Sequence, residues 1–441
     1  MTQRTAVGIC RARRRRLAAL LGDDTLAVVP TAPQRLRNAD TDYPYRWDSH
    51  FHYLTEFPEP DAVLVVCGGK KAHSILFCRP CDPERERWEG PRCGAERAIE
   101  RYGVDEAWDI AELDRKMPEL MAEYRVLASP MGQESWDQRL QVWWHAMRGQ
   151  ARRGIRAPES WLDLADCLGE MRLIKDAREL QSMRRAADIS ARAHLRAMKA
   201  TRAGRHEFAI EAELLHEFRV QGAAGPAYPS IVAGGENACI LHYVDNQARL
   251  RDGDLLLIDA ACEWRGYAAD ITRTFPVNGR FSAPQRDLYE IVLASQSAAL
   301  AQIRVGKRVS AYHDAAVAVL AQGLLDLGLC SGTLDEVLET QAYRRFYMHR
   351  TGHWLGRDVH DVGRYLDAQG KPRKLESGMV LTVEPGLYIG SEEGVPAAFR
   401  GTGIRIEDDV VVGDKGHEVL TGAVPKTVEE IEAWMADTRH H

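Results

Sequence analysis

The run Ala62-Val-Leu-Val-Val-Cys67 is apolar throughout, and Ser74-Ile-Leu-Phe-Cys78 answers it after Gly68-Gly69-Lys70-Lys71. The pattern predicts two buried strands joined by a turn. From Asp105 to Tyr124 the apolar residues fall at helical spacing, with Pro118 as the place to break or restart. A further helix is expected over Glu134–Met147, and the basic, Gly/Pro-punctuated stretch from Arg148 to Pro158 reads as a loop or linker. Helical order restarts at Asp176-Ala-Arg-Glu179, a capping-box pattern. Leu180, Met183, Ala187, Ala191, Leu195 and Met198 then repeat at helical spacing as far as Gly204. A second helix fits Glu207–Val220, and strands follow at Ile231-Val232, Ile240–Tyr243, Leu255–Ala261 and Tyr267–Phe275. The order then repeats, with helices over Arg286–Ile303 and Tyr312–Leu327 and strands near 379–389 and 403–412. Two rounds of helix, helix and strands predict an internally duplicated α+β domain over 173–441, behind a smaller mixed α/β module over 1–172.

Composition narrows the function. The 441 residues carry 58 Lys+Arg against 64 Asp+Glu, a formal charge of −6, which argues against a nucleic-acid partner. With 45% hydrophobic and 28% charged residues the chain is an ordinary globular one, not a disordered one. No apolar run approaches the roughly 18 residues of a membrane span, so no membrane partner is expected. Arg11 and Arg13–Arg16 precede a short apolar stretch that Gly22-Asp23-Asp24 ends too early for a secretory signal. An ordinary basic first helix is expected there, rather than a transit peptide. Nine cysteines, an odd number in a long chain, point to a reduced cytoplasmic location. Cys67, Cys78, Cys81 and Cys93 include one C-x-x-C step, yet their outer spacings are irregular for zinc, and we read them as small apolar residues. The chain ends Thr438-Arg-His-His441, as native sequence or the remnant of a tag alike.

The chemistry concentrates in the second module. A two-residue loop at Trp264-Arg265 would set Asp259 directly opposite Asp270, with Cβ atoms roughly 5 Å apart. Facing carboxylates repel, and a divalent cation between them reverses the sign. Glu384 closes the apolar run from Met379, and Glu407 lies in Gly403–Val412, where Arg405, Glu407 and Asp409 share one face. Between these acids, His349, His353 and His360 fall close together beside Gly352 and Gly356, which are expected to let the backbone approach a ligand. Asp259, Asp270, Glu384 and Glu407 supply four negative charges, matching two divalent ions, and one imidazole completes the set. Oxygen-dominated donors suit Mn2+, and less specifically Mg, Co or Zn. Two metals about 3.5–4 Å apart lower the pKa of a shared water and give hydroxide at neutral pH, so the implied reaction is hydrolysis.

The segments AYPSIVAGGENACILHY, LLLIDAACEWRGYAADITRTFPV, HWLGRDVHDVG, LTVEPGLYI and GIRIEDDVVV resemble the aminopeptidase P (Xaa-Pro aminopeptidase) branch of the pita-bread metallopeptidases, and DTDYPYRWDSHFHYLTEFPEPDAVLVV extends the resemblance to the first module. The resemblance implies a dinuclear site, usually manganese, held by Asp259, Asp270, His353, Glu384 and Glu407, with Asp270 and Glu407 bridging. It implies Glu384 as proton shuttle and His242, His349 and His360 as groups that orient the scissile carbonyl and the proline. Arg405 is expected to hold Glu407 or bind substrate, with Tyr388 nearby. Substrates would be peptides with proline at the second position, and the chain would assemble as a homodimer or homotetramer. Prolidase, which takes only Xaa-Pro dipeptides, shares the five ligands and is the alternative enzyme. A non-catalytic pita-bread binding protein would be expected to lose ligands that this chain keeps. One departure stands out: many relatives carry Gly where this chain has Arg350, in HRTGHWLG. That cation bears on the pocket entrance and on the substrate carboxylate.

Overall fold

The computed structural model describes residues 3–69 and 72–437. Lys70 and Lys71 of the expected turn, and Thr438–His441, lie outside the described residues. The chain divides into two compact units, Met1–Met171 and Arg172–His441.

In the first unit the apolar runs become the middle of a six-stranded sheet, ordered Glu106–Asp109, His73–Cys78, Val63–Cys67, Thr25–Pro30, Val126–Ser129, Ser160–Asp163. Val63–Cys67 runs antiparallel to both neighbours, and the remaining pairings are parallel. Alternate residues feed two separate cores: Ala27, Val29, Leu64 and Val66 on one face, Leu26, Val28, Val63 and Val65 on the other. Cys67 lies in one core, Cys78 and Cys93 in the other, and Cys81 is exposed, so these thiols do not converge on an ion. The basic N-terminal segment is the helix Gln3–Leu21. The helix expected from Asp105 to Tyr124 is corrected: Glu106–Asp109 is an edge strand, captured by parallel pairing with Ile75–Cys78, and the helix spans only Leu113–Met121. It runs through Pro118 without a break.

The second unit opens with the helix Ala177–Ala200, whose Asp176 side chain and Glu179 form the expected capping box. It packs on Glu207–Val220, and Ala283–Leu300 packs on Ala311–Asp326, giving the two helical rounds. Each round faces antiparallel strands. Ile231–Gly234, Leu255–Asp259 and Thr272–Pro276 form one sheet. Val380–Val383 pairs with Asp408–Gly413, and Gly386–Ile389 pairs with Thr402–Arg405. The strand expected at Ile240–Tyr243 is absent: that stretch follows the short 3-10 turn Gly235–Cys239, pairs with no strand, and leaves Ile240 56% exposed.

The hairpin register also differs. Arg265 and Gly266 both hold positive φ, 52° and 74°, so they are the central pair of the turn, and Trp264 pairs with Tyr267. Asp259 therefore faces Thr272 rather than Asp270. A register shift of two preserves the face, so Asp270 becomes a diagonal neighbour of Asp259 on the same side.

Candidate metal centre

Each acidic residue of the centre sits where a strand gives up its ladder. Asp259 ends Leu255–Asp259, Asp270 precedes Thr272–Pro276, and Glu384 follows Val380–Val383 at Pro385. Glu407 occupies the break where the chain leaves Thr402–Arg405 for Asp408–Gly413, and its N–H donates to Thr272 O at 3.0 Å. His353 reaches the group because its loop hangs on Val380–Val383: Thr382 N–H donates to His353 O, His353 N–H to Thr382 Oγ1, and Glu384 N–H to Thr351 O. Gly352 serves this attachment rather than a ligand, since a Cβ there would collide with the Thr382 carbonyl. Gly356 likewise makes room for the Asp361 carboxylate.

One donor atom from each of Asp270, His353 and Glu407 lies within 4.8 Å of the other two. His353 Nε2 is 3.5 Å from Asp270 Oδ2 and 3.5 Å from Glu384 Oε1. Its Nδ1–H donates to the Trp354 carbonyl at 3.0 Å, which turns Nε2 toward those carboxylates, as a donor when the ring is protonated and as a ligand atom when a cation replaces that proton. Tyr228 Oη lies 2.7 Å from Asp259 Oδ1 and 2.6 Å from Asp270 Oδ1. A phenol has one proton to donate, so it cannot satisfy both carboxylates. Of the two expectations for Arg405, holding Glu407 or binding substrate, the first is met only through Thr272. Its guanidinium pairs with Asp259 at 2.6 Å and donates to Tyr388 Oη and Thr272 Oγ1, while Thr272 Oγ1 donates to Glu407 at 2.5 Å.

The electrostatics of the donor set, taken by itself, are unfavourable. Burial, with Asp270, Glu384 and Asp259 around it, pushes the Glu407 carboxyl well above its usual range. Burial raises Glu384 to about 7 against the pull of His353 and Arg405, and it raises Asp259 as well. Burial works against a charged His353, yet its bond to Asp270 and the charge of Glu384 outweigh this and lift it to about 9. These carboxylates therefore call for protons or cations, and the oxygen-rich donors with one oriented imidazole fit divalent metal ions.

Above the acids opens a cavity of about 880 Å³ lined by His242, His349, His360 and His313, with Ile231, Leu241, Val244, Tyr365 and Leu366 supplying apolar wall. His242 and His360 are exposed to it. The His360 ring lies 4.3 Å from that of His353, and His349 Nε2 is 2.8 Å from Tyr388 Oη.

A model of metallopeptidase family M24 matches residues 181–414, and one of the aminopeptidase P N-terminal domain matches residues 10–127. The Xaa-Pro aminopeptidase of Haemophilus influenzae is 44% identical over 424 residues, covering 96% of both chains. Among solved structures, Pseudomonas aeruginosa aminopeptidase PepP superposes with a TM-score of 0.96 at 48% identity, covering 99% of each chain. Zinc-substituted Escherichia coli aminopeptidase P in complex with product gives 0.95 at 44% identity, covering 98% of this chain and 99% of that one. The chain belongs to metallopeptidase family M24. It has the aminopeptidase P architecture within that family, with the pita-bread fold in the second unit, and it is a divalent-metal hydrolase.

Within this M24 centre the structure brings together all nine residues singled out from sequence: Asp259, Asp270, His353, Glu384, Glu407, His242, His349, His360 and Arg405. Sequence reasoning missed Tyr228, Thr272 and His313. Tyr228 lies inside a recognised segment, but nothing in its own neighbourhood signals that a phenol 31 residues before Asp259 will touch that carboxylate. His313 sits on the helix Ala311–Asp326 with Nδ1 2.8 Å from Thr351 Oγ1, and a lone helical histidine carries no spacing signal.

Proposed function

We propose that this chain is an exopeptidase that releases the N-terminal residue from peptides with proline at the second position. In this reading Asp259, Asp270, His353, Glu384 and Glu407 would hold two divalent ions, with Mn2+ as the native metal. The observation that carries the proposal is the convergence of Asp270, His353 and Glu407, with Asp259 and Glu384 lining the same cavity, beside histidine and apolar side chains. The bond before proline has no N–H and its ring fixes φ, so the apolar wall beside His349 and His360 suits a rigid ring that general peptidases handle poorly.

Divalent ions bound here supply compensating charge and a water acidic enough to react near neutral pH. The remaining work falls to the chain. Glu384 takes a proton at its carboxylate and returns it to the departing proline nitrogen. His242 and His360, exposed to the cavity, donate hydrogen bonds to the scissile carbonyl as negative charge develops on it. His349 is steadied by Tyr388, which Arg405 holds in turn, so its ring keeps a fixed direction into the pocket. Residues 1–172 form the N-terminal aminopeptidase P-type domain and 173–441 the catalytic one. Self-association as a homodimer or homotetramer and a cytoplasmic location complete the proposal. Nine cysteines, an odd number in a long chain, support the reducing compartment.

The test strips the protein with chelator, restores Mn2+, and offers Ala-Pro beside a longer peptide beginning Ala-Pro. Metal-dependent release of the first residue from the longer peptide supports the proposal. Cleavage of the dipeptide alone would make the chain a prolidase.

A further inference from the structure

The wall of the cavity carries two cations, Arg350 and Arg405. Arg405 is committed: it is 4% exposed and bonded to Asp259, Tyr388 and Thr272. Arg350 is exposed and makes no ion pair among the described residues. The four carboxylates of the cavity wall all belong to the acidic floor, so among the described lining residues no carboxylate is left to pair with this guanidinium.

Its position follows from its neighbours. His349 turns inward to Tyr388, and its Nδ1–H donates to the Arg350 carbonyl at 2.7 Å, which fixes the backbone at that point. Thr351, on the other side, is bonded to His313, and Arg350 lines the same cavity as His313, Tyr312, Tyr365 and Leu366. A peptide whose scissile bond lay over the acids and whose C-terminal side left by the Arg350 rim would advance about 3.5 Å per residue. The carboxylate of an Xaa-Pro dipeptide stays near the floor, one residue from the bond. That of a tripeptide would lie about 7 Å along, one residue nearer the solvent where Arg350 is exposed.

The geometry points to Arg350 as a specificity-determining residue that reads the free C-terminal carboxylate of short Xaa-Pro-Yaa peptides. The inference rests on the exopeptidase reading above. It makes the enzyme a preferential consumer of the tripeptides left by endopeptidases, and it disfavours long or C-terminally blocked chains, which present no carboxylate there. Guanidinium–carboxylate recognition is directional and charge-assisted, and solvent exposure holds its effect to about fivefold.

The experiment compares Ala-Pro-Ala as free acid and as C-terminal amide on the Mn2+-loaded protein, with Ala-Pro as a third substrate. The acid should exceed the amide in kcat/KM by about fivefold, carried by KM, and the advantage should shrink in about 0.5 M salt. In Arg350→Gly the acid-to-amide ratio should fall to near one, and Arg350→Lys should recover part of it. Equal kinetics for acid and amide in the unaltered protein, or a ratio that survives Arg350→Gly, would overturn the inference while leaving the exopeptidase reading intact. Hydrolysis of Ala-Pro with neither tripeptide form touched would overturn that reading, and this inference with it.

Discussion

The guanidinium of Arg273 meets the carboxylate of Asp408 at 2.8 Å with both side chains wholly buried, and the same guanidinium donates to the carbonyl of Glu407 at 2.6 Å. Lys426, Gln296 and Thr421 also donate to Asp408. The residue after a proposed ligand is thus clamped from behind. Asp408→Ala leaves Arg273 without its anionic partner in the interior, and a loss of about 3–5 kcal/mol in unfolding free energy is expected from denaturant titration. A cost below about 1 kcal/mol would mean that the cluster relaxes easily.

The ligands and the cavity histidines should separate by metal content. Asp270→Ala and Glu407→Ala should lose both bound metal and turnover, because their donor atoms lie in the tightest part of the cluster. His360→Ala should keep its metal by elemental analysis and still lose turnover. Loss of metal from the His360 variant would place that imidazole among the ligands.

Tyr228→Phe tests the phenol shared by Asp259 and Asp270. Removing a partner that orients two ligands is expected to weaken metal binding by about 10- to 100-fold, read by competition with a chelating dye. Unaltered affinity would reduce the hydroxyl to a packing role.

His194 gives a pH dependence away from the centre. It is fully buried, its Nε2–H donates to Ala260 O at 2.8 Å, and burial pushes its pKa down to about 4. The unfolded chain binds a proton here at pH values where the folded one does not. Stability should therefore be full above about pH 6.5 and decline as pH falls toward 4. Denaturant midpoints at about pH 7, 5.5 and 4.5 should drop more steeply for the unaltered protein than for His194→Gln. Parallel curves for the two proteins would assign the pH dependence to other groups.

Local patterns in the sequence carried the helices well, because Asp176 with Glu179 and the spacing after Leu180 are self-contained signals. The donor set was legible because acids embedded in apolar strands have few other uses. Register was not. Whether Asp259 faces Asp270 or Thr272 turned on whether Arg265 takes positive φ, which only Gly266 advertises. The strand at Glu106–Asp109 was hidden because its partner, His73–Cys78, lies far away in sequence and supplies the hydrogen bonds that override a helical pattern. Arg405 was placed on the correct face, but its partner, Asp259, comes from a strand 146 residues away.

The acids that fill the centre come from both rounds of the duplicated domain: Asp259 and Asp270 from the first, Glu384 and Glu407 from the second. Any cation held among them is a cross-link between two stretches of chain more than a hundred residues apart. Its binding energy is then also folding energy, adding about 2.7 kcal/mol when free metal stands at 100 times its Kd. The melting temperature of this protein becomes a metal electrode, rising with the logarithm of free ion and recording occupancy in preparations too inactive to assay.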